Sequence, residues 1–330
     1  MSTFKAIFAT QQEGKPYVSL QQLDRANLPP GDVLVRVHYS DLNYKDGLVV
    51  SGRPGVIRKF PMVPGIDLAG VVEESSSPDW KPGDQVLVTG CGLSETVWGG
   101  YAEFAPVDAK SLIPLPKGMS LKQSMAIGTA GFTAMQCVMA LERHGLNPAI
   151  GKEVLVTGAA GGVGSIAIAI LAKLGYRVTA STGRAELGDY LRSLGATAII
   201  DRASLAVAST RPLETERWGG AVDSVGGDTL ASIIRTLAAN CSVAACGVVG
   251  GAPLNTNVIP FILRGVSLLG INSVTVPRSE RLVIWDRLSR DLPLPLLDSM
   301  TQEAPLEAVF DWGEKIMAGA VRGRVVLKIS

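Results

Sequence analysis

The stretch EVLVTGAAGGVGSIAIAILAKLG, residues 153–175, sets an apolar strand, a glycine-rich turn and a helix in direct succession. Val154–Val156 is the strand, a short β-branched run with no charge inside it. In the helix, Val163, Ile166, Ala167, Ile170, Leu171 and Leu174 recur with the spacing of one helical face, and Gly175 stops it. That stripe is expected to lie on a sheet. Between the two, Ala159-x-Gly161-x-x-Gly164 fits the dinucleotide fingerprint with alanine in first place, and Gly158 adds permissive backbone one residue earlier. Gly161 lets the main chain approach a pyrophosphate, and the amides of Gly162 and Val163 point at it from the helix N-terminus. Gly164 allows helix and strand to pack closely.

Downstream, apolar strands alternate with helical periods. Arg177–Ser181, Ala198–Ile200, Ala221–Val225, Ser242–Cys246 and Ser267–Ile271 join Val154–Val156 to predict a six-stranded, doubly wound parallel sheet. The second strand runs into TASTGR, Thr179–Arg184, where an NAD-specific site carries an acid for the ribose 2′-hydroxyl. No acid is present. Ser181 and Thr182 offer hydroxyls, Gly183 an open backbone and Arg184 a planar cation matched to a 2′-phosphate, so NADP(H) is the expected cofactor. The plainer alternative is a surface arginine after a strand.

Upstream, from Lys5 to about Pro116, the rhythm is short β runs broken by Gly/Pro turns. PPGDV (Pro29–Val33) and KPGDQV (Lys81–Val86) each place a Pro-Gly-Asp turn before a strand, and the whole reads as a β domain. At the other end Ser279–Asp291 and Leu306–Ala318 read as helices. Arg324–Ile329 reads as a strand that the six-stranded sheet does not need, so the C-terminus is expected to return to the first domain.

Composition narrows the function. The 330 residues are 47% hydrophobic and 18% charged, with a mean hydropathy of +0.26, which excludes a disordered chain. Lys+Arg of 31 against Asp+Glu of 30 gives a net charge of +1 and no overall pull toward nucleic acid or a membrane surface. Cys91, Cys137, Cys241 and Cys246 contain no C-x-x-C pair, which argues against a disulfide framework and a structural zinc site. The N-terminus lacks a basic head followed by an apolar stretch, and no unbroken run of about 20 apolar residues occurs. A cytoplasmic protein is expected.

LNYKD (Leu42–Asp46), PMVPGIDLAGVV (Pro61–Val72), GGYAEF (Gly99–Phe104), GTAGFTA (Gly128–Ala134) and TGAAGGVG (Thr157–Gly164) together resemble the medium-chain dehydrogenase/reductase superfamily over essentially the whole chain. The resemblance implies a mixed α/β protein: a GroES-like β-barrel catalytic domain over 1–121, completed by 296–330, and a doubly wound Rossmann NADP-binding domain over 122–295. Zinc members of that superfamily carry Cys, His and Glu or Cys ligands. This chain has Pro64-Gly65-Ile66-Asp67 where the histidine belongs, Asn43 at the first cysteine, and no lobe of four close cysteines. His38 and His144 have no partners at ligand spacing, so no zinc is expected. Longer stretches, among them FPMVPGID, WGGYAEF, IGTAGFTAMQCVMAL, STGR, AACG and PFILRGVSLLGINSV, resemble the zinc-free acrylyl-CoA reductase family.

That family resemblance implies NADPH-dependent reduction of the C=C bond of acryloyl-CoA. Hydride goes to the β-carbon, an enolate thioester develops, and the α-carbon is protonated. Tyr44 and Asn43 are the implied donors to the oxyanion; Tyr44 has two alternatives, a bond to a cofactor hydroxyl or simple packing under the nicotinamide. Asp46 is expected to be structural, orienting Lys45 or capping the following helix. Thr129 and Thr133 are implied near the cofactor, with Cys246, Gly247, Asn272 and Ser273 on the carboxyl edge of the sheet. Nothing basic flanks Cys246, which therefore reads as a lining residue and not a nucleophile. Arg324 is either a further cofactor contact or a salt-bridged surface residue. Arg53, Arg58 and Lys59 are candidates for the phosphates of coenzyme A, or else a solvated face. A homodimer through Ser267–Asn272 is expected, covering Val266, Leu268 and Ile271. Two other functions stay open: an NADPH quinone oxidoreductase, and a non-catalytic NADPH-binding sensor or structural protein.

Overall fold

In the computed structural model, which describes residues 3–207 and 209–330, the N-terminal β runs pair antiparallel. β1 (Thr3–Gln12) and β2 (Lys15–Asp24) form a hairpin; the second strand has no marked alternation and escaped the sequence reading. β3 (Val33–Asp41), β4 (Asp67–Ser75), β5 (Gln85–Thr89), β6 (Phe104–Val107) and β7 (Ile113–Pro114) follow, with helix α1 (Tyr44–Val50) between β3 and β4. The inward side chains of these strands, including Val33, Val35, Val37, Leu68, Val86 and Val88, are buried in one apolar cluster.

Helix α2 (Leu121–Arg143) leads on to β8 (Glu153–Val156), α3 (Gly162–Lys173), β9 (Val178–Thr182), α4 (Gly188–Ser193), β10 (Ala198–Asp201), β11 (Trp218–Asp223), α5 (Gly227–Thr236), β12 (Ser242–Ala245), α6 (Ile259–Arg264) and β13 (Ser267–Gly270). The six strands are parallel in the order β10-β9-β8-β11-β12-β13, the doubly wound topology that the alternating pattern predicts. One detail differs from the expected one-sided stripe: Gly164–Leu171 is buried without interruption, because Ser165, Ile168 and Ala169 between the stripe positions are themselves small or apolar.

After α7 (Arg278–Asp291) and α8 (Leu294–Ser299), β14 (Thr301–Pro305), α9 (Val309–Met317) and β15 (Arg324–Lys328) complete the chain. β15 pairs parallel with β14 and antiparallel with β3, giving a seven-stranded sheet of order β14-β15-β3-β4-β5-β7, with β6 also paired to β3. By contacts the chain divides into two units. One contains the chain up to Thr129 with Val274–Ser289 and Leu297–Ser330; the other contains Ala130–Ser273 and Arg290–Leu296.

One helix bears on the membrane expectation, and one edge expectation needs correcting. α2 is long and apolar enough by length and composition to cross a membrane, despite the lack of an unbroken apolar run; 83% of its most apolar window is nevertheless buried within the protein, as in a core helix. Val266, expected on an open edge, is already inside the core around Trp218 and Leu237. The exposed apolar residues nearby are Val258, Ile262 and Leu263 on and beside α6, with Leu268 on β13.

Candidate active site

The glycine turn after β8 is built as its residues require. Gly158 takes φ +56°, a left-handed conformation that few side chains adopt, and its carbonyl accepts from Gly161 N at 2.9 Å. A Cβ on Gly164 would lie 2.5 Å from Gly158 O and 2.7 Å from Ala159 Cα, so only glycine lets α3 pack on the turn. Gly161 caps the helix, and Gly162 and Val163 are its first turn. Ala159 N donates to Ser181 O at 3.2 Å, which ties the turn to the end of β9. Thr157 Oγ1 donates to the buried Asp223 at 2.6 Å, and Gly226 N donates to the same carboxylate at 2.8 Å, fixing the ends of β8 and β11 side by side.

Ser181 and Thr182 are buried at the end of β9, and Thr182 Oγ1 accepts from Arg184 N at 3.1 Å. Gly183 has a partner the sequence did not suggest. A Cβ there would lie 2.7 Å from Arg202 Cδ and 2.8 Å from Cζ, so the Arg202 side chain lies directly against Gly183. Arg202 follows β10, and the parallel pairing of β10 with β9 delivers it there. Arg184 thus follows β9, which itself carries no carboxylate, and Arg202 follows the neighbouring β10 after Asp201; two cations beside the end of β9 suit a 2′-phosphate. Cys246 and Gly247 follow β12, and Asn272 and Ser273 follow β13, on the carboxyl edge of the same sheet. Cys246 Sγ donates to Asp223 O at 3.5 Å, while Asn272 O accepts from Gln136 Nε2 at 3.4 Å. Thr133 is buried on α2.

The second group of candidates is in the β-rich unit and centres on carboxylates. Asn43 precedes α1, and its Nδ2 donates to Asp41 Oδ1 at 2.8 Å and to Asp67 Oδ2 at 3.0 Å. Its two amide hydrogens are thereby committed inside the protein. Thr129 donates to Asp67 through both N (2.6 Å) and Oγ1 (2.6 Å). Arg324 is 3% exposed in this cluster and not on the surface: Nη2 pairs with Asp41, Nε donates to Ala126 O at 2.7 Å, and Nη1 reaches Asn43 Oδ1 at 3.3 Å. Asp46 accepts from Asn43 N at 2.9 Å and Ile66 N at 3.0 Å, so it caps α1. Lys45 turns away from it to Glu95, at 2.6 Å. Burial, and then the neighbouring Asp67 charge, push the Asp46 carboxyl up to about 7 against these backbone bonds. Burial raises Asp41 as well. The cluster thus carries three buried carboxyls against one guanidinium.

Tyr44, the first residue of α1, is 39% exposed, the most open of the candidates around this cluster. The helix beneath it is held tightly, because Gly47 and Gly313 let α1 and α9 meet; a Cβ on Gly47 would lie 2.5 Å from Ile316 Cγ2. Arg53, Arg58 and Lys59 are exposed on the segment after α1.

The residues do not fit a zinc ion. Ile66 stands at the histidine position, Asn43 is committed to two carboxylates, and the Arg324 guanidinium occupies the same cluster. Among the described residues no group of three or more His, Cys, Asp and Glu is arranged to hold a metal.

Residues 29–117 match the alcohol dehydrogenase GroES-like domain, and residues 162–289 match the domain described as zinc-binding dehydrogenase. The acrylyl-CoA reductase AcuI of Ruegeria pomeroyi is 52% identical over 320 residues, 97% of each chain. The crystal structure of the yhdH oxidoreductase from Salmonella enterica in complex with NADP superposes with a TM-score of 0.95 at 47% identity, over 99% of this chain and all of that one. The Bacillus subtilis protein YhfP, named a putative quinone oxidoreductase, is 43% identical over the full length of both chains, and its crystal structure with NAD bound superposes with a TM-score of 0.95. The chain belongs to the medium-chain dehydrogenase/reductase superfamily and, within it, to the acrylyl-CoA reductase family.

Proposed function

We propose that this protein is an NADPH-dependent acrylyl-CoA reductase that converts acryloyl-CoA, NADPH and a proton to propionyl-CoA and NADP⁺. The observation that carries the reading is 52% identity, across nearly the whole of both chains, to a protein of that name. NADPH, when bound, supplies the hydride for the β-carbon. The glycine turn and the first amides of α3 receive the pyrophosphate, and Arg184 with Arg202 receives the 2′-phosphate, a match of charge and fork geometry. Thr133, Cys246, Gly247, Asn272 and Ser273 line the cofactor.

Tyr44 donates its hydroxyl to the thioester oxygen as negative charge develops there, a contribution on the order of 3 kcal/mol in a dry site. Asn43, Thr129 and Arg324 act beneath it as positioning residues: their hydrogen bonds to Asp41 and Asp67 hold the start of α1 in place. Arg53, Arg58 and Lys59 attract the phosphates of coenzyme A. No metal takes part, in keeping with the donor set. The unpaired edge of β13 and the exposed Val258, Ile262, Leu263 and Leu268 suit a homodimer that continues the sheet. The four cysteines are free thiols, as suits the cytoplasm.

NADPH oxidation followed by absorbance, with acryloyl-CoA, crotonyl-CoA and a simple quinone in parallel, tests the reading. Acryloyl-CoA is expected to be turned over fastest. The name of the Bacillus relative favours the quinone reading, which a quinone turned over in preference to either thioester would establish in its place. Binding of NADPH with no turnover of any of the three would point to a sensor or structural protein. Tyr44→Phe is expected to lower kcat about 100-fold with KM little changed; an intact kcat would make Tyr44 a packing residue.

A further inference from the structure

The three cations of the segment after α1 are not equivalent. Among the described residues, Arg58 alone of Arg53, Arg58 and Lys59 enters an ion pair: its Nε lies 3.6 Å from Glu95 Oε2, and its backbone N–H donates to Glu95 O at 2.9 Å. The other oxygen of Glu95, Oε1, receives Lys45 Nζ at 2.6 Å, and Lys45 immediately follows Tyr44. One carboxylate thus ties the start of α1 to the Arg58 segment.

That carboxylate is held by stiff backbone. Cys91 and Ser94 take left-handed φ values of +52° and +68°, and the N–H groups of Glu95, Thr96 and Val97 all converge on Gly92 O at 3.0–3.1 Å. Non-glycine residues keep such conformations only where the surroundings enforce them. The Glu95 side chain is 15% exposed, whereas that of Arg58 is 72% exposed. Glu95 takes Nε and leaves the rest of the guanidinium fork for a second anion, with the ion pair limiting where that fork can point.

We propose that Glu95 is a positioning residue for substrate recognition, holding Arg58 as the oriented anchor for a phosphate group of the coenzyme A carrier. The proposal rests on the acrylyl-CoA reading and narrows it from a diffuse positive patch to one guanidinium and the carboxylate that aims it. The shared chemistry is a phosphate oxyanion, whether the 3′-phosphate or the diphosphate. An anion beside an anion-binding arginine weakens attraction if charge alone matters. The sign of the Glu95 effect therefore separates the two possibilities.

The test is steady-state kinetics of the full-length enzyme with acryloyl-CoA, acryloyl-dephospho-CoA and acryloyl-pantetheine, at saturating NADPH. Arg58→Ala is expected to raise KM for acryloyl-CoA about 10-fold with kcat retained, the signature of lost uniform binding to a charged partner. Arg58→Lys is expected to recover little of it, since lysine keeps the charge without the fork. Glu95→Gln is expected to raise KM in the same direction and to add nothing in the Arg58→Ala background. The effects should be absent with acryloyl-pantetheine, and KM for NADPH should be unmoved. Disappearance of the Arg58→Ala effect already at the dephospho thioester assigns the anchor to the 3′-phosphate; disappearance only at the pantetheine thioester assigns it to the diphosphate.

A KM that falls or stays constant in Glu95→Gln, full rescue by Arg58→Lys, or the same KM rise with acryloyl-pantetheine would overturn the proposal. Arg58 is exposed, so its variants report even if Glu95→Gln folds poorly. Wild-type enzyme that uses acryloyl-CoA and acryloyl-pantetheine with equal KM defeats the proposal and leaves the acrylyl-CoA reading intact. Wild-type enzyme that turns over no acryloyl thioester defeats that reading, and the proposal with it.

Discussion

Gly128 sits where the helical backbone of α2 breaks, at φ +51° and ψ −160°, a region that only glycine enters freely. A Cβ there would strike the Asp41 carboxylate and would lie 2.8 Å from Arg324 Nη2 and 2.9 Å from Asp67 Oδ2. Gly128→Ala therefore carries two costs. The backbone conformation costs about 1–3 kcal/mol. Forcing a methyl into a filled, buried ionic cluster costs about 1–3 kcal/mol more, because Asp41 and Arg324 are almost completely enclosed and have nowhere to retreat. Gly118→Ala serves as an uncrowded positive-φ comparison, since Gly118 has φ +82° and open space around its Cβ position. Urea denaturation of both variants is expected to show Gly128→Ala destabilised by about 2–6 kcal/mol and Gly118→Ala by a backbone cost alone. Turnover should fall in Gly128→Ala only, because a displaced Asp41 releases Asn43 and with it the start of α1. If the two variants agree within about 0.5 kcal/mol, the cluster is not the close-packed support described here.

Arg184→Ala and Arg202→Ala are each expected to weaken NADPH about 10- to 150-fold and to spare NADH; equal losses for both cofactors would remove these arginines from the 2′-phosphate site. The buried Asp46 binds a proton up to about pH 7 when folded and only to about 3.8 when unfolded, so it makes stability fall as pH rises between those values, by roughly 4 kcal/mol in all. Asp41 acts with the same sign. Urea midpoints at pH 5 and pH 7.5 check the slope, which Asp46→Asn should flatten; a wild-type protein more stable at the higher pH would contradict the assignment. Activity is expected to survive exhaustive chelation, whereas stoichiometric zinc in the purified protein would reverse the view of Asn43, Ile66 and Asp67.

Local chemistry was enough for much of this. The strand, Gly158–Gly164 turn and helix are contiguous, and their signals are steric and periodic, so the chain from Glu153 to Gly175 specifies this strand–turn–helix unit without reference to anything distant. The missing acid before Arg184 is equally local. Motifs with fixed internal spacing also revealed the family. What the sequence could not show depends on groups brought together across large separations. Arg202 meets Gly183 only because two parallel strands align their ends. Arg324 could be read as a surface or cofactor residue until β15 paired with β3 and delivered it, 283 residues from its partner, to Asp41. Asn43 looked like a free donor, and folding commits its amide to two carboxylates, since a buried carboxylate takes whatever donor lies within reach. Spacing along a chain reports which side chains share a face of one element. Which charges must neutralise one another in a dry interior is decided only when the elements pack.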